Sequence, residues 1–275
     1  MLLAALLFIG RAALLKVNST VFNEGFLMEL PDFFKRHSKV ALAFSGGVDS
    51  SYLLYSAIDS GADAHAYYVK SAFQPRFELN DAERMAKLLH ADMTVIELDV
   101  LDNPMIASNP MDRCYYCKKL IFSAIAKQAK ADGYSILLDG TNASDDADDR
   151  PGMRAIKELA VLSPLRECEL TKDRIRQLSK EAGLFTWDKP AYACLATRIS
   201  AQDITEEKLE WTECAENHLF SLGFSDFRVR MTGTSAKIQI SAAQFQLLAE
   251  KRDSIVRELK KYYSSVLLDM EARDE

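Results

Sequence analysis

Cysteine is scarce in this sequence, and a strong positive charge is absent. The 275 residues include five cysteines, and so sparse and odd a set argues against a disulfide framework and for a reducing compartment. The formal net charge of −6 offers no general attraction to nucleic acid or to an anionic membrane surface. We therefore expect a cytoplasmic protein that does not bind nucleic acid, in which any function of the cysteines is metal binding or catalysis.

A long apolar run is also missing. The N-terminal stretch LLAALLFIGRAALL is interrupted by Arg11 and is shorter than the roughly 20 residues that a transmembrane helix needs. It lacks the basic segment that begins a signal peptide. We interpret residues 1–27 as an N-terminal extension and expect no membrane partner.

Short apolar runs alternate with helical patterns in residues 28–200. The runs are typical of buried parallel strands and lie at 39–44, 64–70, 93–100 and 134–140. The helical patterns between them lie at 50–60, 77–91 and 112–132. The alternation predicts an α/β fold with a doubly wound parallel sheet, whose ligands bind beyond the carboxyl ends of the strands.

The pattern changes in residues 201–275. A helix at 205–224 precedes two alternating strands, a further helix and a last strand, which lie at 227–231, 236–240, 241–261 and 264–270. This order predicts a small C-terminal α+β domain of the β-β-α-β type. We assign it to substrate binding or to the assembly of a homo-oligomer.

The segment SGGVDS follows the strand at 39–44 and begins a helix. Two glycines there expose successive N–H groups at the positive end of a helix, which attracts an anion. The hydroxyls of Ser45 and Ser50 can donate to phosphate oxygens, and Asp49 would hold a Mg²⁺ ion that bridges to the phosphates. The spacing fits neither the P-loop nor the dinucleotide-binding turn, and the alternative is a plain tight turn.

This segment resembles the pyrophosphate-binding loop of the PP-loop ATP pyrophosphatases. The resemblance implies that ATP is cleaved between its α and β phosphates and that a substrate oxygen is adenylylated. A nucleophile that carries nitrogen or sulfur then displaces AMP. The implied ATP site consists of Ala43, Ser45, Gly46, Gly47, Asp49, Ser50 and Gly140.

Three cysteines stand in informative positions. Cys114 and Cys117 begin a predicted helix, and Cys194 lies in a loop. A redox pair is disfavoured because it would follow the first strand of a thioredoxin-like unit, and structural zinc needs four ligands, which His90 or His218 would have to complete. A [4Fe–4S] cluster on three cysteines would leave one iron open for a sulfide. Chance placement is the remaining alternative.

From about residue 30 to residue 270 the sequence resembles the LarE family of ATP-dependent sulfur transferases. The segments that carry this resemblance are AFSGGVDSSYLL, LDGTNASDDADDRPGMRA, SPL, KPAYACLATRIS and LGFSDFRVR. The family makes a pyridinium bis-thiocarboxylate mononucleotide for the nickel-pincer cofactor. The resemblance therefore implies that a carboxylate of a nucleotide-like substrate, pyridinium-3,5-biscarboxylic acid mononucleotide, is adenylylated.

The resemblance also implies the source of the sulfur. In one branch of the family a loop cysteine surrenders its own sulfur, and that position is Ala193 here. In the other branch three cysteines hold a [4Fe–4S] cluster that delivers a bound sulfide. The sequence matches this second pattern with Cys114, Cys117 and Cys194, so we expect these cysteines and Asp49 to be catalytic and expect a sulfide donor.

Other polar residues are candidates for binding the substrate and its phosphate. Two arginines at 228 and 230 share one face of a predicted strand and could hold a phosphate, although exposed strand charges are the alternative. With the resemblance, the candidate set is Asp149, Arg150, Arg198, Glu216, Arg228 and Arg230. Gln239 stands where the family pattern has an acidic metal-binding residue, which puts a second metal site in doubt.

Two other functions remain open at the level of sequence. A PP-loop amide ligase would not need the three cysteines, and a tRNA thiolase would be expected to have a stronger basic surface. A nucleotide-binding sensor or scaffold with a structural metal site is a rival from a different class.

Overall fold

A four-stranded parallel sheet forms the centre of the molecule, in the spatial order β3-β2-β1-β4. The computed structural model describes residues 28–145 and 151–273. The four strands are β1 (Lys39–Ala43), β2 (Asp63–Lys70), β3 (Met93–Glu97) and β4 (Leu137–Leu138). All three pairings are parallel, and the predicted α/β class with a parallel sheet is confirmed.

Helices cover both faces of this sheet because side chains alternate along its buried strands. In β1, Val40 and Leu42 pack into the core on one face, together with residues of α1, α2, α3 and α8. Ala41 packs on the opposite face with Ile125 of α5. The helices of this part are α1 (Leu30–Arg36), α2 (Val48–Asp59), α3 (Arg76–Leu88), α4 (Pro104–Ala107), α5 (Arg113–Ala131), α6 (Pro151–Glu158), α7 (Pro164–Glu167) and α8 (Lys172–Glu181).

The edge strand β4 is much shorter than the predicted strand at 134–140. Only Leu137 and Leu138 pair with β1, and the next residue, Asp139, turns its carboxylate into the following loop. There it accepts hydrogen bonds from Thr141 Oγ1 and Ser163 Oγ, both at 2.6 Å. The chain therefore leaves the sheet early and forms a loop at the edge where ligands of parallel sheets bind.

A second sheet lies in the C-terminal part, in the order β5-β6-β7. Strands β5 and β6 are antiparallel, whereas β6 and β7 are parallel. The elements are α9 (Glu206–Ser221), β5 (Arg228–Thr232), β6 (Ser235–Gln239), α10 (Phe245–Leu259) and β7 (Ser265–Leu268). They follow the predicted order of helix and strand.

The hydrophobic core of the C-terminal part continues into the N-terminal part. Phe73 and Ile106 pack in the same buried cluster as Leu209 and Val229. A boundary at residue 200 therefore crosses a continuous core, and the division of the chain into domains stays a prediction.

The proposed extension at 1–27 lies outside the described residues. Within the described ranges, no helix combines the length and the apolar character that crossing a membrane requires.

Candidate active site

The Ser-Gly-Gly loop joins the buried strand β1 to the N-terminus of α2, which begins at Val48. Gly46 has a φ of +69°, and a Cβ on it would lie 2.9 Å from backbone atoms of Ala82 in α3. A glycine is therefore required both for the left-handed backbone and for the close approach of α3. The Ser45 and Ser50 hydroxyls lie 3.0 Å apart at the positive end of the helix, as an anion site needs.

A second loop meets the first at the same edge of the sheet. A Cβ on Gly140 would lie 3.1 Å from the Ser50 backbone nitrogen, so only glycine fits there without displacing its neighbours. In the same loop, Asn142 Nδ2 donates to Asp49 Oδ1 at 3.2 Å. The structure thus brings Asp49, Ser50 and Gly140 together from segments about 90 residues apart, as parallel strand order dictates.

Lys172 completes this part of the site, and the sequence analysis missed it. It is the first residue of α8, and its ammonium forms an ion pair with Asp49 Oδ2. Thr171 caps the helix by accepting from the Arg174 backbone N–H, which fixes the position of Lys172. The capping threonine is visible in the sequence, but the 123-residue separation hides the pairing.

Two neighbouring cavities lie beside the loop. The larger, about 320 Å³, is lined by Ser45, Asp49, Glu78, Lys172, Lys189 and Cys194, among others. The smaller, about 210 Å³, has a mostly apolar lining that includes Ala43, Phe44, Val69, Ile121 and Phe122. Because Ser45, Gln74 and Glu78 line both, the two cavities adjoin.

The three candidate cysteines come from distant segments to one region. Cys114 is exposed, whereas Cys117 and Cys194 are partly buried and pack against the same hydrophobic core. Burial raises the pKa of the Cys117 thiol to about 12, and negative charge on Cys194 and Cys114 adds to the increase. Burial also raises the pKa of the Cys194 thiol, so both thiols are neutral at pH 7 unless a cation stabilises the thiolates.

Arg113 connects the two cysteine segments. This buried residue donates from Nη1 to the Ala196 carbonyl at 3.1 Å and from Nη2 to Cys114 Sγ at 3.7 Å. The Leu195 N–H donates to the Phe73 carbonyl at 2.9 Å and holds the cysteine loop from the other side. The start of α5 and the loop of Cys194 are therefore held together by direct contacts.

The cysteines do not form a site for a single metal ion. Among residues 28–145 and 151–273, no three His, Cys, Asp or Glu side chains converge at metal-binding distances. Iron–sulfur clusters are held by cysteine thiolates. The three neighbouring cysteine thiols are therefore ligands of the type that an iron–sulfur cluster needs.

Arg198 and Glu216 form a fully buried ion pair. Arg198 is 0% exposed and Glu216 2% exposed, and the pair is bidentate, with Nε–Oε1 at 2.8 Å and Nη2–Oε2 at 3.2 Å. Glu216 also accepts from the Val229 N–H at 3.0 Å and from the Tyr192 hydroxyl. Arg198 Nη1 donates to the Ala193 carbonyl at 2.9 Å. These contacts hold the loop that carries Cys194.

Arg228 and Arg230 point to different partners. Arg228 donates to the Ala191 carbonyl and lines a cleft of about 630 Å³ together with Arg273. Arg230 donates to Gln239 Oε1 at 2.6 Å and to the Thr197 carbonyl at 2.7 Å. Burial is the main cause that lowers the pKa of Arg228, to about 10, a value that leaves the guanidinium charged at pH 7.

Gln239 lies next to the carboxylate of Asp269. Gln239 Nε2 donates to Asp269 Oδ2 at 2.8 Å, and Lys237 pairs with the same oxygen at 2.8 Å. The remaining two candidates, Asp149 and Arg150, lie outside the described residues.

The features of the loop define a class of protein. A parallel α/β sheet carries a Ser-Gly-Gly turn at a helix N-terminus, with Asp49 and a second loop beside it, which is the arrangement of the PP-loop ATP pyrophosphatases. No family model matches the chain.

Comparison with curated proteins identifies the family within that class. The chain is 36% identical over 225 residues to an uncharacterized protein of Synechocystis, covering 81% of this chain and 84% of that protein. It is 32% identical over 236 residues to the pyridinium-3,5-bisthiocarboxylic acid mononucleotide synthase of Lactiplantibacillus plantarum, covering 84% and 86%. A tRNA-specific 2-thiouridylase of Clostridium botulinum matches at 27% over 182 residues, covering 54% and 52%. The chain belongs to the LarE family.

Proposed function

We propose that this protein is an ATP-dependent sulfurtransferase that converts a carboxylate of pyridinium-3,5-biscarboxylic acid mononucleotide into a thiocarboxylate. One observation carries the proposal: Cys194 lines the same cavity of about 320 Å³ as the Ser-Gly-Gly loop and Asp49. The machinery that would activate an acid and the residue that would bring sulfur thus face one space. The relative from Lactiplantibacillus plantarum bears the name of the same product.

The two cavities suit the two ends of ATP. The apolar cavity next to Ala43 would take the adenine, while the loop of Ser45, Gly46, Gly47 and Ser50 would bind the β and γ phosphates through its N–H groups and hydroxyls. Lys172 would turn from Asp49 towards the leaving pyrophosphate. Its positive charge lies where negative charge develops on the leaving group.

Mg²⁺ fits the donors of this site. The carboxylate of Asp49 lines the cavity beside the phosphate loop, and Mg²⁺ in nucleotide sites takes one or two carboxylates plus phosphate oxygens. The ion would neutralise charge on the phosphates when bound. Asp49 is also held in position by Asn142, at 3.2 Å.

The first chemical step activates the acid. A carboxylate oxygen of the substrate attacks the α phosphorus of ATP, the bond from that phosphorus to the bridging oxygen breaks, and pyrophosphate leaves with the electron pair. The acyl adenylate that remains has AMP as a good leaving group. A sulfide nucleophile then forms the C–S bond as the C–O bond to AMP breaks, which releases AMP and leaves the thiocarboxylate.

The sulfur would reach the adenylate from the three cysteines. Cys114, Cys117 and Cys194 would hold a [4Fe–4S] cluster, which, when bound, would supply a sulfide at its open iron. Arg113 would keep the two cysteine segments in register through its contacts with Ala196 and Cys114. The raised thiol pKa values favour this assignment, because bare thiols here would be poor nucleophiles.

The substrate would lie across the loop at 190–191. The cleft that contains Arg228 shares Pro190 and Ala191 with the cavity of Cys194, so a phosphate near Arg228 would leave the acid end directed towards the adenylylation site. Arg230, Asp149 and Arg150 are further candidates for this substrate site. Arg198 and Glu216 would act by holding the loop rather than by touching the substrate, because both are buried.

The test is a single anaerobic incubation. Reconstituted protein is mixed with Mg²⁺, ATP, sulfide and pyridinium-3,5-biscarboxylic acid mononucleotide, and the product is analysed by mass spectrometry. We expect the mass gain of oxygen-to-sulfur exchange, with AMP and pyrophosphate formed in equal amounts. Substrate that is unchanged by the iron-loaded protein would refute the substrate assignment.

Cysteine variants test the sulfur source in the same assay. Replacing Cys114, Cys117 or Cys194 by serine should abolish the visible absorbance of the cluster and the repeated turnover. Cys214→Ser is the matched control, since Cys214 is exposed on α9 and is absent from the linings of both cavities. A Cys114→Ser protein that still assembles the cluster and turns over repeatedly would rule out this source.

A further inference from the structure

Glu78 occupies the junction of the two cavities beside the phosphate loop. It lines both the apolar cavity of about 210 Å³ and the cavity of about 320 Å³ that contains Asp49 and Cys194. None of the sequence patterns singles it out. Within the described part of the chain, no hydrogen bond or ion pair engages its carboxylate, although the residue is partly buried.

The position of Glu78 is fixed by the packing of α3 on the loop. Gly46 approaches the Ala82 backbone so closely that a Cβ would lie 2.9 Å away. Glu78 precedes Ala82 by four residues in α3, and residues at this spacing lie on the same face of a helix. The carboxylate is therefore held beside the phosphate loop by the same contact that makes Gly46 necessary.

The charged groups around Glu78 are engaged with other partners. Lys189 pairs with Asp81 at 2.7 Å, and Lys70 donates to the Gln74 carbonyl. Arg198 is bound by Glu216.

The aromatic hydroxyls nearby belong to Tyr68 and Tyr192, and Tyr192 donates to Glu216. Burial raises the pKa of Glu78 to about 7, an increase that Lys189 and Arg198 oppose. A buried carboxyl group without a partner is unfavourable for the free protein, as is expected of a group that awaits a ligand.

The order of the cavities matches the order of groups in a nucleoside triphosphate. The base fits the apolar cavity, the phosphates fit the Ser-Gly-Gly loop, and the sugar must cross the junction between them. A carboxylate can accept two hydrogen bonds, and vicinal ribose hydroxyls supply two donors. Gln74, which lines the same junction, adds a polar neighbour.

We propose that Glu78 binds the 2′ and 3′ hydroxyls of ATP and makes the site specific for ribonucleotides. This rests on the proposed function, because it needs ATP to lie across the two cavities. The hydroxyls would give the unpartnered carboxylate its hydrogen bonds, and a deoxynucleotide would leave it buried with an acceptor position unfilled.

Calorimetric titration with ATP, 2′-deoxyATP and 3′-deoxyATP in the presence of Mg²⁺ tests this on the full chain, without the acid substrate. The wild-type protein should bind each deoxynucleotide about tenfold more weakly than ATP, since a hydrogen bond to a charged group contributes about 1.5 kcal/mol or more. Glu78→Gln should bind ATP more weakly and should lose most of this discrimination. Glu78→Asp, which keeps the charge, should retain part of it.

Glu83→Gln is the matched control, because Glu83 is an exposed residue of the same helix; it should preserve the wild-type ratios. A Glu78→Gln protein that binds ATP and keeps the full discrimination would overturn the proposal, and so would one that weakens all three nucleotides equally. A wild-type protein that binds no ATP would overturn the proposed function as well. Failure of the proposal for Glu78 and failure of the proposed function therefore give different results.

Discussion

Glu78 illustrates at the scale of one residue how a binding site lowers the stability of the protein that carries it. Its pKa is about 7 in the folded protein against 4.5 for the free side chain. Between these two values the folded state holds a proton that the unfolded state has released, so stability falls as the pH rises through this window. Above pH 7 the full free-energy cost of a buried carboxylate is present.

Glu78→Gln should therefore stabilise the free protein in a pH-dependent way. At pH 8 we expect a gain on the order of 3 kcal/mol, because one pKa unit corresponds to about 1.4 kcal/mol. At pH 5 the gain should be small. Thermal melts of the variant and of Glu83→Gln at both pH values measure this, and a difference in melting temperature that does not change with pH would contradict the stated pKa.

For the buried ion pair of Arg198 and Glu216 we expect the opposite effect, since removing its carboxylate should destabilise the protein. Glu216→Ala leaves a guanidinium at 0% exposure without its carboxylate, and breaking a buried ion pair in this way costs about 3–5 kcal/mol. Replacing both residues, as in Arg198→Met with Glu216→Leu, should cost less than Glu216→Ala alone. Urea unfolding measures these differences, and the exposed pair Arg252 and Asp253 provides a control. A double variant less stable than Glu216→Ala would contradict the argument.

At the scale of elements, the phosphate loop and α3 act as one unit. The contact between Gly46 and Ala82 fixes how close the helix lies to the loop, and through the helix it fixes Glu78. A change at Gly46 should therefore disturb two separate parts of the ATP site, the phosphate loop and the junction of the cavities.

Gly46→Ala tests this coupling, with Gly183→Ala as a matched control. Gly46 and Gly183 have nearly equal φ values, +69° and +70°, but a Cβ on Gly183 has nothing within 4 Å. Gly183→Ala should cost about 1 kcal/mol for the left-handed backbone and should leave ATP binding unchanged. Gly46→Ala should be less stable than this control and should lose ATP binding. Equal stability and equal ATP affinity in the two variants would show that the close approach is unimportant.

The sequence predicts an element of the fold well where the pattern lies within a few residues. It predicts an element less well where that element depends on contacts between residues far apart in the chain. Alternating apolar runs predict β1 and β2 because the pattern lies within a few residues. The contact of Asp139 with Ser163 and the contact of Lys172 with Asp49, 123 residues away, both join distant segments of the chain. The burial of Arg198 could not be predicted, because the sequence of a strand or loop does not reveal that Glu216 lies opposite.

At the scale of the whole molecule, the structure joins two sheets through one continuous core, and the candidate site lies where segments of both parts meet. Lys172 and Asp49 come from the part with the parallel sheet, and Arg228 comes from β5. Ligand binding should therefore stabilise the whole fold rather than a separate portion. A homo-oligomer remains our expectation.

Mg²⁺ and ATP should raise the melting temperature of the full chain. At a free concentration of 100 times Kd, binding adds about 2.7 kcal/mol, which corresponds to roughly 5–10 °C for a chain of this size. In the free protein Lys172 neutralises Asp49, so Lys172→Ala loses both this ion pair and a cation for the pyrophosphate. We expect a smaller thermal shift with ATP for this variant than for Lys157→Ala, an exposed lysine of α6. A full ATP shift in Lys172→Ala would mean that the lysine serves only the ion pair with Asp49, and its assignment to pyrophosphate would be wrong.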